Sequence, residues 1–211
     1  MFAGLYAMQE NCYPSIMSQL FLSQGIQVPE LQDYCRDRDA VLTDVASTLG
    51  VSRDIAKKCF LTVCHIGNYT QHTGGVKLDF LDSFNQNYIS AVKLLAKRQP
   101  FALVWASVQR NPDRKNPLGT FVSWNCQRHE AAAINALASF FEGRGGTVRT
   151  NSFDGLMVEG FLHLDKPALA GLLTSVQPER VRVLVCVCVC VCVCVCVCVC
   201  VCVCVCVCVC V

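Results

Sequence analysis

The sequence predicts an α+β fold over residues 1–180, followed by a repetitive tail. Apolar residues recur at helical spacing over most of that stretch, as at Leu81 and Phe84. Two short apolar runs on either side of Asp154-Gly155 have instead the pattern of a β-hairpin. A chain of this length is sufficient to bury the core of one domain. We therefore expect several helices packed on a small antiparallel sheet.

The tail, residues 181–211, is a low-complexity segment that distorts the composition of the whole chain. From Val185 to Val211, Val and Cys alternate without a break, and this stretch holds 13 of the 18 cysteines. Repeated GT dinucleotides read in frame encode this alternation, so we interpret the tail as a translated microsatellite. Alternation and β-branched Val favour strands, although the apolar length would suffice for a membrane span. We expect an aggregation-prone tail without a native fold, with a membrane anchor as the less favoured alternative.

The remaining cysteines and the N-terminus indicate an intracellular location, the nucleus included. Five scattered cysteines do not make a secreted disulfide framework. The N-terminus has no basic segment before its apolar residues, as a signal peptide would have. The formal net charge of +2 is close to neutral, so the chain as a whole carries no strong field for nucleic acid. The five cysteines outside the tail are Cys12, Cys35, Cys59, Cys64 and Cys126.

The first three predicted helices are bounded by capping and breaking residues. Pro14 suits the first turn of a helix, because its missing N–H is not needed there, so we expect a helix within residues 12–26. A second helix is expected over residues 31–49. Ser52 can cap a third helix, which we expect to reach His65.

The second half of the chain is predicted to hold helices, then a hairpin, then one more helix. An Ala-rich stretch before Gly143 favours a helix, and Asp154-Gly155 favours a tight turn. The polar basic segment of residues 110–117 is expected to be a loop. The predicted ranges are 80–98 (helix), 101–108 (helix or strand), 126–142 (helix), 148–152 and 156–161 (strands) and 165–176 (helix).

Three short segments form an informative pattern when they are taken together in their order along the chain. None of them would be significant alone. They are Asn11-Cys-Tyr-Pro-Ser-Ile16, Arg53-Asp-Ile-Ala-Lys-Lys-Cys-Phe60 and Asn151-Ser-Phe-Asp-Gly-Leu-Met-Val-Glu159. Together they resemble the palm and fingers of a DNA polymerase, and most closely the diverged family A polymerases of transposons and large DNA viruses. The resemblance extends from about residue 4 to about residue 176. It implies a palm-like antiparallel sheet, a helical fingers region and a truncated or inactive copy from a mobile element or virus.

The resemblance implies a catalytic site for nucleotidyl transfer. Asp154 would be the catalytic carboxylate and would bind Mg²⁺, a hard ion that prefers oxygen ligands. Arg53 and Lys57, four residues apart on one helix face, would bind the deoxynucleotide triphosphate.

The resemblance also implies contacts with a DNA primer-template. Tyr13 lies in the first motif, and Gln127 and Glu130 lie on the helix before the third. Arg114 and Lys115 belong to the basic loop, where they could contact the phosphate backbone.

One departure from the family pattern puts activity in doubt. The metal-binding Asp of the first motif falls at Met8, whose soft thioether is a poor ligand for Mg²⁺. Glu10 is the nearest carboxylate and the candidate second metal ligand, but it is displaced by about 7 Å along a strand. We therefore expect no measurable primer extension, and whether the chain is an enzyme stays open.

Each motif also has a purely structural interpretation. Asp154 could be an ordinary turn residue, Arg53 and Lys57 a solvated helix face, and Tyr13 part of a helix start. Cys59 and Cys64 lack a second ligand pair at zinc spacing, so buried thiols are favoured over a metal site. The alternative function is a non-catalytic nucleic-acid-binding or inert remnant.

Overall fold

The fold is α+β, as the sequence predicts. The computed structural model describes residues 4–9, 12–152, 155–159, 183–188 and 206–209. Within these residues the chain forms seven α-helices, a short 3₁₀ helix at Tyr69–His72 and five strands. The elements are β1 (Gly4–Gln9), α1 (Cys12–Ser23), α2 (Pro29–Arg36), α3 (Arg38–Leu49), α4 (Arg53–Cys64), α5 (Asp79–Leu95), α6 (Phe101–Gln109), α7 (Pro117–Glu142), β2 (Thr147–Ser152), β3 (Gly155–Glu159), β4 (Val183–Cys188) and β5 (Cys206–Val209).

The chain divides into two compact units. One unit is helical and comprises Tyr13–Gln127. The other comprises Met1–Cys12 and Arg128–Val211, and its described part holds the sheet. The domain boundary that we predict near residue 180 stays a prediction.

The stretch expected to form one helix over residues 31–49 forms two. The break falls at Asp37, whose backbone lies outside the helical region at φ −142° and ψ 77°. The Asp37 carboxylate accepts a hydrogen bond from the Ala40 backbone N–H at 3.0 Å. An aspartate that satisfies a free N–H in this way is a strong N-cap, so the side chain starts a new helix where periodicity alone continues the old one.

Capping explains the neighbouring boundaries. Ser52 accepts a hydrogen bond from the Ile55 N–H at 3.3 Å and starts α4, as predicted. Gly50 ends α3 in the left-handed region, with φ 62°, where glycine carries no steric penalty.

The start of α7 lies nine residues before the predicted one. Asn116 Oδ1 accepts a hydrogen bond from the Gly119 N–H at 2.8 Å, and Pro117 occupies the first helical position. Both residues favour a helix start, but they stood inside the segment that we expected to be a loop. The segment of residues 101–108, left open between helix and strand, is helical as α6.

An aromatic stack lies in the core of the helical unit. The ring of Phe60 stacks on Tyr34 with centroids 3.7 Å apart, and on Phe84 with centroids 4.5 Å apart. Tyr88 meets Phe84 edge to face at 5.5 Å. These rings come from α2, α4 and α5, and all four side chains are fully buried. Because buried aromatic residues contribute large apolar areas, this stack holds the three helices together.

The described strands form one sheet in the order β2-β3-β1-β4-β5. The hairpin of β2 and β3 is antiparallel and pairs Ser152 with Gly155, which confirms the predicted pair of strands. On its other side β3 pairs with β1, and Met8 stands opposite Gly155. The strand near the N-terminus therefore lies beside the hairpin.

Two short segments of the tail are among the described residues. β4 pairs with β1 and β5 pairs with β4, both antiparallel. Alternating Val and Cys satisfies the two-residue period of a strand, which explains why these segments extend an existing sheet. The helix predicted over residues 165–176 lies outside the described residues. No helix in the described part of the chain combines the length and apolarity of a membrane span.

Candidate nucleic-acid interface

The two carboxylates expected to bind Mg²⁺, Asp154 and Glu10, lie outside the described residues. Their described neighbours show that Gly155 stands opposite Met8 across the β3–β1 pair. Within the described ranges, no group of three or more His, Cys, Asp or Glu side chains could hold a metal ion. The metal site stays a prediction from the sequence.

Arg53 and Lys57 share α4, one turn apart. The Arg53 guanidinium forms an ion pair with the Asp39 carboxylate of α3, and both side chains are substantially exposed. Exposed pairs of this kind contribute about 0–1 kcal/mol, so Asp39 does not prevent Arg53 from binding another anion. The nucleotide-binding role stays a prediction.

The residues predicted to contact DNA fall into different environments. Tyr13 is half-buried at the start of α1, with its ring centroid 5.4 Å from that of His65. Gln127 is exposed and donates a hydrogen bond to Ser123 at 3.2 Å. Glu130 is only 7% exposed. A carboxylate this deeply buried is not on a surface that nucleic acid can reach, so its burial argues against direct contact.

Cys59 and Cys64 of α4 are both buried. Burial raises the pKa of both thiols, that of Cys64 well above its ordinary value. They are therefore protonated at neutral pH, whereas a nucleophile or metal ligand requires the thiolate.

The basic loop between α6 and α7 carries the clearest candidate interface. Arg110 and Lys115 are exposed, and Arg114 is half-buried. The guanidinium carbon of Arg114 lies 5.3 Å from the centroid of the Trp124 ring, a cation–π contact. Trp124 itself is 36% exposed on α7. We call these four residues the Trp124 surface.

Hydrogen bonds from Asn116 fix the end of this loop. Its Nδ2 donates to the carbonyl oxygens of His65 at 3.1 Å and Ile66 at 3.3 Å, just after α4. A Cβ on Gly119 would lie 2.6 Å from the His65 carbonyl oxygen, so only glycine permits this approach. The first turn of α7 is thus held against the end of α4.

Reasoning from the sequence identified Arg114 and Lys115 but missed Trp124. The sequence does contain a relevant feature, a tryptophan seven residues after Pro117. The helix predicted from the sequence begins only after that tryptophan, at residue 126. With the start at Pro117, Trp124 would have been placed two turns into α7, within reach of the preceding loop.

Comparison with known proteins gives one similarity of note and no matching family model. The chain is 28% identical over 158 residues to a protein of Sputnik virophage named "Putative helicase V13". The match covers 72% of this chain and 20% of the virophage protein. The chain therefore spans about a fifth of the length of that relative.

This similarity contradicts the function that we predicted. The motif resemblance implied DNA synthesis on a primer-template, whereas the name of the relative indicates a helicase. Three short motifs are weaker support for a function than similarity over 158 residues, and a single sequence does not reveal that similarity. Whether the chain is related in sequence to the family A polymerases is not tested by this similarity, so that relationship stays a prediction.

Proposed function

We propose that this chain acts within a helicase-type protein, as a part that binds nucleic acid and does not itself hydrolyse nucleotide. The observation that carries the proposal is the similarity over 158 residues to the helicase-named virophage protein. Because the match covers a fifth of that protein, the chain corresponds to one part of it rather than to the whole.

The assignment of nucleotide hydrolysis to another part follows from the sequence. A P-loop has the form Gly-x-x-x-x-Gly-Lys-Ser/Thr, in which backbone N–H groups and the lysine hold the phosphates. No lysine of this chain follows a glycine. Nucleotide hydrolysis of the P-loop type would therefore have to come from residues other than these.

The helical unit supplies chemistry suited to nucleic acid. Arg110, Arg114 and Lys115 offer cations to phosphates, and Trp124 offers an aromatic surface beside them. Proteins that bind single strands combine these two features. The similarity gives the class of protein, and these residues give a reason why this part of it would bind nucleic acid.

The proposal is tested with the full chain under reducing conditions. Binding is measured by fluorescence anisotropy of a labelled 20-nucleotide single strand, and ATP hydrolysis is measured by the release of inorganic phosphate. We expect binding that weakens as salt rises, because counterions are released from the phosphates, and no ATP hydrolysis with or without the strand. Non-specific affinities are typically about 10⁻⁴ to 10⁻⁶ M, so the protein is titrated through that range.

Two results would contradict the proposal. One is the absence of binding to single strands and duplex alike at low salt. The other is ATP hydrolysis stimulated by the strand, which would place the motor in this chain.

A further inference from the structure

We infer that the Trp124 surface is the binding site for single-stranded nucleic acid, with Trp124 stacking on a base and Arg110, Arg114 and Lys115 contacting phosphates. The inference rests on the proposed function, which does not say where the strand binds. It is carried by four observations on the helical unit: local charge, unpaired cations, an exposed aromatic ring and a fixed loop.

The charge of this segment is concentrated. Between α6 and α7 the chain has three cations, at Arg110, Arg114 and Lys115, and one carboxylate, at Asp113. Three minus one gives +2, which equals the formal net charge of the entire chain. A nearly neutral protein thus carries a local positive site, and local sites rather than total charge attract phosphates at physiological salt.

Among the residues that the structure describes, these three cations form no ion pair with a carboxylate. Ion pairs elsewhere in the described residues join Arg36 to Asp33 and Arg53 to Asp39. Within the same described part of the chain, no ion pair involves a cation of the Trp124 surface. The Nε of Arg114 is enclosed and has no hydrogen-bond partner there either. Cations without carboxylate partners can bind phosphates without first breaking an ion pair.

The exposure of Trp124 contrasts with its neighbours. Trp124 is 36% exposed. Three residues close to it on the same helix are at most 1% exposed: Phe121, Val122 and Cys126. Tryptophan is a highly buried residue type on average, and an accessible aromatic ring beside cations is the combination on which proteins stack unpaired bases.

The loop that carries the cations is fixed before any ligand binds. Asn116 ties its end to the carbonyls of His65 and Ile66, and Asn111 Oδ1 accepts a hydrogen bond from the Asp113 N–H at 3.1 Å. A fixed loop loses little conformational entropy on binding, which favours affinity.

A single strand fits this surface better than a duplex. Stacking on Trp124 requires a base with a free face, and the bases of a duplex are already stacked on one another. DNA and RNA strands share this chemistry, so the assay uses one oligonucleotide of each kind to distinguish them.

The experiment measures the dissociation constant of the full chain for 20-nucleotide DNA and RNA strands by anisotropy, with an abasic DNA strand of equal length and charge. We expect Trp124→Ala to raise the dissociation constant for the base-containing strand by about 5- to 150-fold, the range typical of one stacked base. On the abasic strand the same change should have less than about a twofold effect, because the lost interaction is with a base. Trp124→Phe should recover most of the affinity.

The cations are tested by salt dependence. Arg110→Gln and Lys115→Gln should each reduce the slope of log affinity against log salt by about 0.7, the value for one phosphate contact on a single strand. The matched controls are on α5, where Lys93 and Leu94 are both exposed. Lys93→Gln should leave the slope unchanged, and Leu94→Ala should leave the affinity unchanged.

A second measurement covers the case in which Trp124→Ala does not fold. The chain has two tryptophans, so Trp105→Phe leaves Trp124 as the single tryptophan, whose emission is followed with selective excitation of indole. Its emission should be quenched as a strand is added, because a stacked base quenches indole fluorescence. Unchanged emission at saturating strand would overturn the inference.

The outcomes separate this inference from the proposed function. If the unmodified chain binds and the variants of the Trp124 surface bind equally well, the strand lies elsewhere and only this inference fails. If the unmodified chain binds no strand, both fail.

Discussion

At the scale of single residues, the end of α4 contains a conformation that costs free energy. Ile66 has φ 58°, in the left-handed region that β-branched residues rarely adopt. The structure holds it there because the Ile66 N–H donates to Val63 O at 2.8 Å and its carbonyl accepts from Asn116. The left-handed conformation costs an L-residue about 1–2 kcal/mol.

Replacing Ile66 with glycine and with alanine separates backbone conformation from side-chain packing. Both changes remove the same side chain beyond Cβ, but only Ile66→Gly removes the steric cost of the positive φ. We expect Ile66→Gly to be more stable than Ile66→Ala by about 0.5–1 kcal/mol, after the entropy that glycine loses on folding. Urea denaturation followed by circular dichroism measures the difference, and equal stabilities would show that no strain resides at this position.

At the scale of secondary-structure elements, one asparagine determines where α7 begins. Asn116 provides two kinds of contact: its Oδ1 caps the Gly119 N–H, and its Nδ2 donates to the end of α4. The cap is a local interaction within α7. The contact with α4 joins residues about 50 positions apart and places the basic loop.

Two variants of Asn116 distinguish these contacts. Asn116→Asp keeps the capping oxygen and loses the donor, whereas Asn116→Ala loses both. We expect Asn116→Ala to cost about 1–2 kcal/mol and Asn116→Asp to cost less, since a capping aspartate replaces asparagine well. In the strand-binding assay both should weaken affinity if the α4 contact positions the loop. If only the alanine variant were weakened, the cap alone would account for the role of Asn116.

At the scale of the whole molecule, the chain consists of residues 1–180, whose composition is typical of a folded domain, and the Val-Cys tail of residues 181–211. The described part of the first 160 residues holds seven α-helices and the strands β1, β2 and β3, and the tail adds β4 and β5 to the same sheet. Cys186 stands opposite Cys208, and Cys188 opposite Cys206, across the β4–β5 pair. Directly opposed residues on antiparallel strands have Cα atoms within about 4.5–5.5 Å, a separation that a disulfide can span.

We expect oxidation of the full chain to produce disulfide-linked oligomers. Thirteen cysteines in alternation provide many thiols on each molecule, and strands with free edges associate. Non-reducing electrophoresis after treatment with a thiol oxidant should show high-mass species that dithiothreitol reverses. A control chain with serine in place of the 13 tail cysteines should stay monomeric under the same oxidant. Equal oligomerisation of both chains would assign association to the strands rather than to the thiols.

The sequence by itself determined the local features of this protein. The α+β class, the cap at Ser52 and the hairpin before Glu159 follow from hydrophobic period and turn residues, which act over a few positions along the chain. The basic loop was visible for the same reason, because its charged residues lie close together along the chain. The candidate roles of Asp154 and Glu10 remain at this level, since both lie outside the described residues.

Only the tertiary structure decided which of these features come together. The exposure of Trp124, the attachment of Asn116 to the end of α4 and the burial of Glu130 depend on packing rather than on sequence spacing. Side-chain exposure is set by what the rest of the fold covers, and a single sequence does not state that. A basic loop can therefore be predicted from its amino-acid sequence, whereas an exposed aromatic ring beside it can be recognised only in the folded structure.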